Sequence, residues 1–183
     1  MPTHIAFLRA INLGAKRKFP KDAIRSAAEG AGFTDVETYI NTGNVRVTTT
    51  LRSRAKVEAA LEEAFLADRG FEVPTIVFTP AELVAIASYA DDLWAEYDEP
   101  GAHYVTLLKQ PPSGAAVAAV ETAGLGGELC RVRDRAAHVL LPKSFHENRL
   151  MNGKAFAALG VGTARNVTVI RELARRWGPG AGP

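Results

Sequence analysis

A chain of 183 residues, 47% hydrophobic and 23% charged, has the composition of an ordinary globular protein, either one domain or two small ones packed together. A net charge of +2 is too small to argue for nucleic acid, and the single cysteine, Cys130, excludes an internal disulfide and a multi-cysteine metal site. No run approaches the ~20 apolar residues of a membrane helix, and the N-terminus lacks the basic-then-apolar layout of a signal peptide, so no membrane contact and a cytoplasmic location are expected.

Residues 5–8 form a short apolar run, read as a buried strand. The following loop, 9–20, carries Arg9, Lys16, Arg17 and Lys18, and no carboxylate occurs until Asp22. Pro20 suits the first turn of a helix, where its missing N–H is not needed. Ala23, Ile24, Ala27, Ala28 and Ala31 recur at helical spacing, with Gly30 and Gly32 as the stop. Residues 36–40 read as a second strand. Asn41-Thr42-Gly43-Asn44 is turn chemistry, because Asn and Gly tolerate positive φ. Val45 and Val47 open a third strand. Ser53 is placed to cap a helix whose Val57, Ala60, Leu61, Ala64 and Phe65 form one apolar stripe ending near Gly70. Residues 73–78 supply a fourth strand. The order, strand-helix-strand-strand-helix-strand, is the split βαβ or ferredoxin-like pattern.

Thr79-Pro80-Ala81-Glu82 is a capping box with proline at the first helical position. The acidic stretch 91–101 reads as a connector. Residues 103–108 follow as a strand, Pro111-Pro112-Ser113 opens a helix, and 128–133 with 137–141 form a hairpin around Asp134-Arg135. Residues 154–159 form a short helix stopped by Gly160, and Thr163 is placed to cap a final helix carrying Val167, Ile170, Leu173, Ala174 and Trp177. The expected architecture is α+β: a ferredoxin-like half over 1–79 and a second α+β half over 80–183, packed on each other because segments this small bury apolar surface poorly alone.

Topology points to a candidate site. In a split βαβ sheet the first and third strands are central antiparallel neighbours, so the start of the third lies beside the end of the first. That brings Asn41, Thr42, Gly43 and Asn44 next to Arg9, Asn12, Gly14, Lys16 and Lys18. Amides, a hydroxyl, glycine backbone and cations together suit an anionic ligand. The competing reading is a solvated basic loop beside an ordinary turn. A second cluster is 144–149 with Thr163-Ala164-Arg165-Asn166, the latter read as a helix N-terminus that favours anions or as a capping network.

Standard catalytic patterns are absent: there is no His-Glu-x-x-His, phosphate-binding Walker sequence or Gly-x-Ser-x-Gly elbow. His4, His103, His138 and His146 are dispersed, with His146 the best acid/base candidate because its loop is polar. Cys130, inside an apolar alternation, reads as an inert core thiol. Asp91, Asp92, Glu96, Asp98 and Glu99 read as a solvated linker and not a metal site.

The segments Leu8-Arg9-Ala10-Ile11-Asn12-Leu13-Gly14, Thr38-Tyr39-Ile40-Asn41-Thr42-Gly43-Asn44-Val45 and Thr163-Ala164-Arg165-Asn166 resemble the bacterial domain-of-unknown-function family numbered 1697. The resemblance implies a cytoplasmic bacterial protein with ferredoxin-like halves and implies no activity. It singles out Arg9, Asn12, Gly14, Asn41, Gly43, Asn44, Arg165 and Asn166. The family usually has glycine where this chain has Ala10, and tryptophan where it has Val167, so a ligand stacking on that ring would lose its platform here.

Three functional readings follow. The first is a binding protein for an anionic small molecule, such as a nucleotide or phosphorylated metabolite, at the Arg9/Asn12/Asn44 edge. The second is a nucleic-acid-binding module. It is the weaker reading, because RNA-binding sheets of this type stack bases on central-strand aromatics and here Tyr39 sits on an outer strand. The third is a phosphoryl- or acyl-transfer enzyme using Arg9 and Arg165 as charge clamps, with no identifiable nucleophile. No cofactor is indicated, and the sequence leaves the oligomeric state open.

Overall fold

A computed structural model of the chain describes residues 1–14, 16–97, 100–124, 127–142 and 149–180. It divides into two compact units, Met1–Leu83 with Arg175–Pro183, and Val84–Ala174. Each contains one four-stranded antiparallel sheet.

The first unit runs β1 (Thr3–Leu8), α1 (Lys21–Gly30), β2 (Thr34–Tyr39), β3 (Asn44–Thr48), α2 (Arg54–Arg69) and β4 (Thr75–Phe78). The sheet order is β2-β3-β1-β4, the ferredoxin-like arrangement with β1 and β3 in the centre. Period-two alternation sends Ala6, Leu8, Val45, Val47 and Val77 to one face. There they meet Ile24 and Ala28 of α1 and Val57, Leu61 and Phe65 of α2, with the Phe19 ring edge-on to Phe65 at 5.2 Å.

The α2 stripe holds one residue that apolar periodicity does not reveal. Glu58 is 3% exposed. Its Oε1 accepts the Val77 N–H at 2.9 Å, and Glu62 Oε1 accepts the Thr75 N–H at 2.8 Å. β4 is an edge strand, and these carboxylates occupy the outward amides that would otherwise pair with another chain. Glu58→Ala leaves the Val77 N–H without that acceptor. It is expected to lower the unfolding free energy by about 2 kcal/mol in urea denaturation, whereas Ala at the exposed Glu63 should stay within about 0.5 kcal/mol of the parent.

Helix α3 (Pro80–Glu96) begins with the expected capping box: the Thr79 N–H donates to Glu82 Oε2 at 2.7 Å and the Glu82 N–H donates to Thr79 Oγ1 at 3.2 Å. Residues 91–96 are the last turns of this helix and 100–101 open the next strand, so the expected 91–101 connector is mostly regular structure. The acidic residues there lie on an exposed helix surface, where Asp91 Oδ1 accepts from Arg171 Nε at 2.6 Å; Asp98 and Glu99 fall outside the described residues.

The second unit continues with β5 (Pro100–Leu108), α4 (Gly114–Thr122), β6 (Leu129–Arg133), β7 (Ala136–Pro142), α5 (Lys154–Ala157), β8 (Gly162–Asn166) and α6 (Val167–Trp177). Its order, β6-β7-β5-β8, repeats that of the first sheet. Ser113 Oγ caps α4 by accepting the Ala116 N–H at 3.2 Å. At Ser53, ahead of α2, the side chain makes no capping bond.

Thr163 does not cap a helix, contrary to what its spacing suggests; residues 162–166 are the fourth strand, pairing with β5 from Tyr104↔Asn166 to Leu108↔Gly162. The reason is chemical. The inward positions of β8 hold Thr163 and Arg165, so the segment lacks the apolar alternation that marks a strand. Asn166 starts α6 instead: its Oδ1 accepts the Thr168 N–H at 2.9 Å and the Thr168 hydroxyl at 2.7 Å.

Candidate functional site

The end of β1 and the start of β3 meet as the topology requires. Phe7 pairs with Asn44, and the Leu8 N–H donates to the Gly43 carbonyl at 2.8 Å. One side chain then ties the basic loop to the turn. Asn12 Nδ2 donates to the Asn41 carbonyl at 2.7 Å and to the Phe19 carbonyl at 3.2 Å, while its Oδ1 accepts the Phe19 N–H at 2.8 Å. The Asn12 N–H also donates to the Arg17 carbonyl at 2.7 Å. Asn12 thus closes the loop at its base and joins two segments 29 residues apart.

Asn44 is fully buried beneath the turn, where its Nδ2 donates to the Tyr39 carbonyl at 3.1 Å and to Thr42 Oγ1 at 2.9 Å. Gly43 has φ of 77°, and a Cβ placed on it would stand 2.7 Å from Leu8 Cβ and 2.8 Å from Ile11 Cδ1. Only glycine lets the turn approach the basic loop this closely.

The cations divide by role. Arg17 is a clamp: its Nε donates to the Ala10 carbonyl at 2.7 Å, its terminal nitrogen donates to the Glu72 carbonyl at 2.5 Å, and its guanidinium lies 4.8 Å from the Phe71 ring centre. Arg9, Lys16 and Lys18 are exposed, with Gly14, Asn41 and Thr42 exposed beside them. Among the described residues no carboxylate pairs with those three cations.

Left-handed backbone gathers at the same rim. Ala10, Asn12 and Ile40 have φ of 58°, 56° and 50°, in company with Gly14 at 68° and Gly43 at 77°. A Cβ-bearing residue costs about 1–2 kcal/mol in this region. The expected glycine at position 10 therefore has a physical reason. Ala10→Gly is expected to raise stability by about 0.5–1 kcal/mol after allowing for the freer unfolded chain, read as a higher urea midpoint at unchanged slope.

The second cluster has a different character. Arg165 lies in β8, 7% exposed, with a terminal nitrogen donating to Thr163 Oγ1 at 2.9 Å and to the Ala164 carbonyl at 2.8 Å. Burial pushes its guanidinium down to about 10. The helix N-terminus expected to attract anions is capped by Asn166. His146, with the rest of 143–148, lies outside the described residues.

Two of the four histidines, dispersed in the sequence, form a buried pair in the second unit. His103 Nε2 and His138 Nδ1 are 3.2 Å apart, and the residues are 1% and 0% exposed. Trp94 stacks on His103 at 6.2 Å, and Tyr89 meets His138 edge-on at 5.1 Å. The available signal was pairing of β5 with β7: Val105↔His138 and His103↔Leu140 put both imidazoles on one face, two positions apart. Burial pushes His103 down to about 4, assisted by nearby Arg171 and opposed by Asp91, and pushes His138 down to about 3, assisted by His103. Cys130, 1% exposed, is pushed up to about 12 by burial and by Glu121, which leaves it a neutral thiol. Among the described residues no three His, Cys, Asp or Glu side chains group as metal ligands.

Two sheets of the same strand order, each crossed by helices, define an α+β protein built from two ferredoxin-like units. The chain belongs to the family described as protein of unknown function (DUF1697), whose model matches residues 1–138. That match includes the whole Asn12–Asn44 rim and stops short of Arg165 and Asn166. In fold the chain is similar to the solved structure of conserved bacterial protein SP0830 from Streptococcus pneumoniae, at 18% identity over 97% of this chain and 98% of that one, with a TM-score of 0.73. No curated protein sequence matches the chain significantly. Among the described residues no helix is long and apolar enough to cross a membrane.

Proposed function

We propose that the protein binds an anionic small molecule, a nucleotide or phosphorylated metabolite, at the rim formed by Arg9, Asn12, Gly14, Lys16, Lys18, Asn41, Thr42, Gly43 and Asn44. The observation that carries this reading is the contrast within one loop. Arg17 is consumed by structural contacts, while Arg9, Lys16 and Lys18 stand exposed on a backbone pinned by Asn12. Pinning matters because a loop ordered in advance loses less entropy when it binds. The left-handed residues support the same reading, since strained backbone persists where the surroundings hold it and clusters at ligand sites.

The other two readings draw less support. In the first sheet the central-strand aromatic Phe7 is buried and packs edge-on against Phe78 at 6.1 Å, so it offers no stacking surface for bases. The transfer-enzyme reading calls on Arg165 as a second clamp, and that guanidinium is buried and bonded within its own strand.

The test is a thermal-shift panel of nucleotides and phosphorylated metabolites. A ligand at about 100 times its Kd adds about 2.7 kcal/mol, a rise of roughly 5–10 °C for a chain of this size. The Arg9→Ala/Lys16→Gln/Lys18→Gln protein should keep its own melting point and lose the shift. A hit that shifts parent and triple variant equally would refute the assignment to this rim.

A further inference from the structure

The rim displays apolar side chains as well as cations. Leu13, between left-handed Asn12 and Gly14, is 66% exposed. Ile40, 41% exposed, has φ of 50°, a region that β-branched residues rarely enter. The two are chain neighbours of Asn12 and Asn41, which are joined by the 2.7 Å hydrogen bond across the rim. Two loops therefore each hold an aliphatic side chain out to solvent at the point where they are tied together, with Arg9, Lys16 and Lys18 in the loop of Leu13. Neither the loop closure nor the turn needs those apolar groups: Asn12, Arg17, Asn44 and Gly43 supply every contact described above.

Resting on the binding site proposed above, we infer that its ligand is a phosphate ester with an apolar body. The cations take the phosphate, and Leu13 with Ile40 lie against the hydrocarbon or aromatic part. A bare phosphorylated sugar would use only half of this surface. A free aromatic or alkyl phosphate and the headgroup region of an anionic lipid share the required chemistry.

Isothermal titration with inorganic phosphate, glycerol phosphate, phenyl phosphate and octyl phosphate separates the two contributions. Burying two aliphatic side chains partly should make phenyl or octyl phosphate bind at least about 10-fold tighter than glycerol phosphate. Leu13→Ser/Ile40→Ser should erase that advantage and leave inorganic phosphate binding unchanged. Lys16→Gln/Lys18→Gln should weaken every phosphate together. Sedimentation with phosphatidylglycerol vesicles, against phosphatidylcholine vesicles, tells the sources apart. Selective capture of the former that is lost with Leu13→Ser/Ile40→Ser assigns a lipid headgroup; binding of octyl phosphate without vesicle capture assigns a free ester. Equal affinity for all four phosphates, unaffected by Leu13→Ser/Ile40→Ser, would overturn this inference while leaving the anion site standing. Binding that survives Lys16→Gln/Lys18→Gln unchanged would overturn both.

Discussion

Gly43→Ala is expected to lower the stability of the protein by about 2–5 kcal/mol, the sum of left-handed backbone strain and forced overpacking. The added Cβ would stand 2.7 Å from Leu8 Cβ and 2.8 Å from Ile11 Cδ1. Leu8 Cβ is fixed to a buried central strand, so it has little freedom to retreat. Gly14→Ala isolates the conformational part, because Gly14 has φ of 68° but nothing within 4 Å of an added Cβ. It should cost only about 1 kcal/mol. Urea midpoints at constant slope make the comparison. If Gly43→Ala proved no worse than Gly14→Ala, the turn and the basic loop would not be in close contact.

The second large effect is acid destabilisation through His103 and His138. Both are buried, share a hydrogen bond, and have outer nitrogens, His103 Nδ1 and His138 Nε2, with no hydrogen-bond partner among the described residues. Burial holds them down at about 4 and about 3, while the unfolded chain titrates near 6.5. Between those values the unfolded state binds more protons, so stability falls as pH drops below 6.5. Near pH 5 the loss should reach about 2 kcal/mol per histidine. Arg171 lowers the affinity of His103 for a proton further, and Asp91 offsets only part of that lowering. A His103→Leu/His138→Leu protein should show a flatter stability profile from pH 7 to 5, measured by urea unfolding. An unchanged slope would show that other groups govern the acid response.

Much of this was legible in the chain. The first unit announces itself because its strands are short apolar runs or alternations and its helices carry apolar stripes; even the Thr79–Glu82 capping box forms as its spacing implies. The meeting of Asn12 with Asn41 followed from topology alone. What was hidden has a common cause: polar residues in positions where patterning expects hydrocarbon. Arg165 and Thr163 face inward in β8, and Glu58 faces inward in α2. The histidine pair required knowing which strands are neighbours. The division of labour between Arg17 and the other cations also lay beyond the sequence, because the partners of Arg17 are backbone carbonyls, to which the identity of a residue gives no clue.

The most direct measurement is a set of amide proton–nitrogen spectra of the isotope-labelled protein, titrated with the best phosphate ester from the panel. Binding at the rim requires that the large, saturable shifts concentrate on the amides of 9–18 and 40–44, with Gly14 and Gly43 prominent. Shifts centred on any other part of the chain, with these amides still, would contradict it.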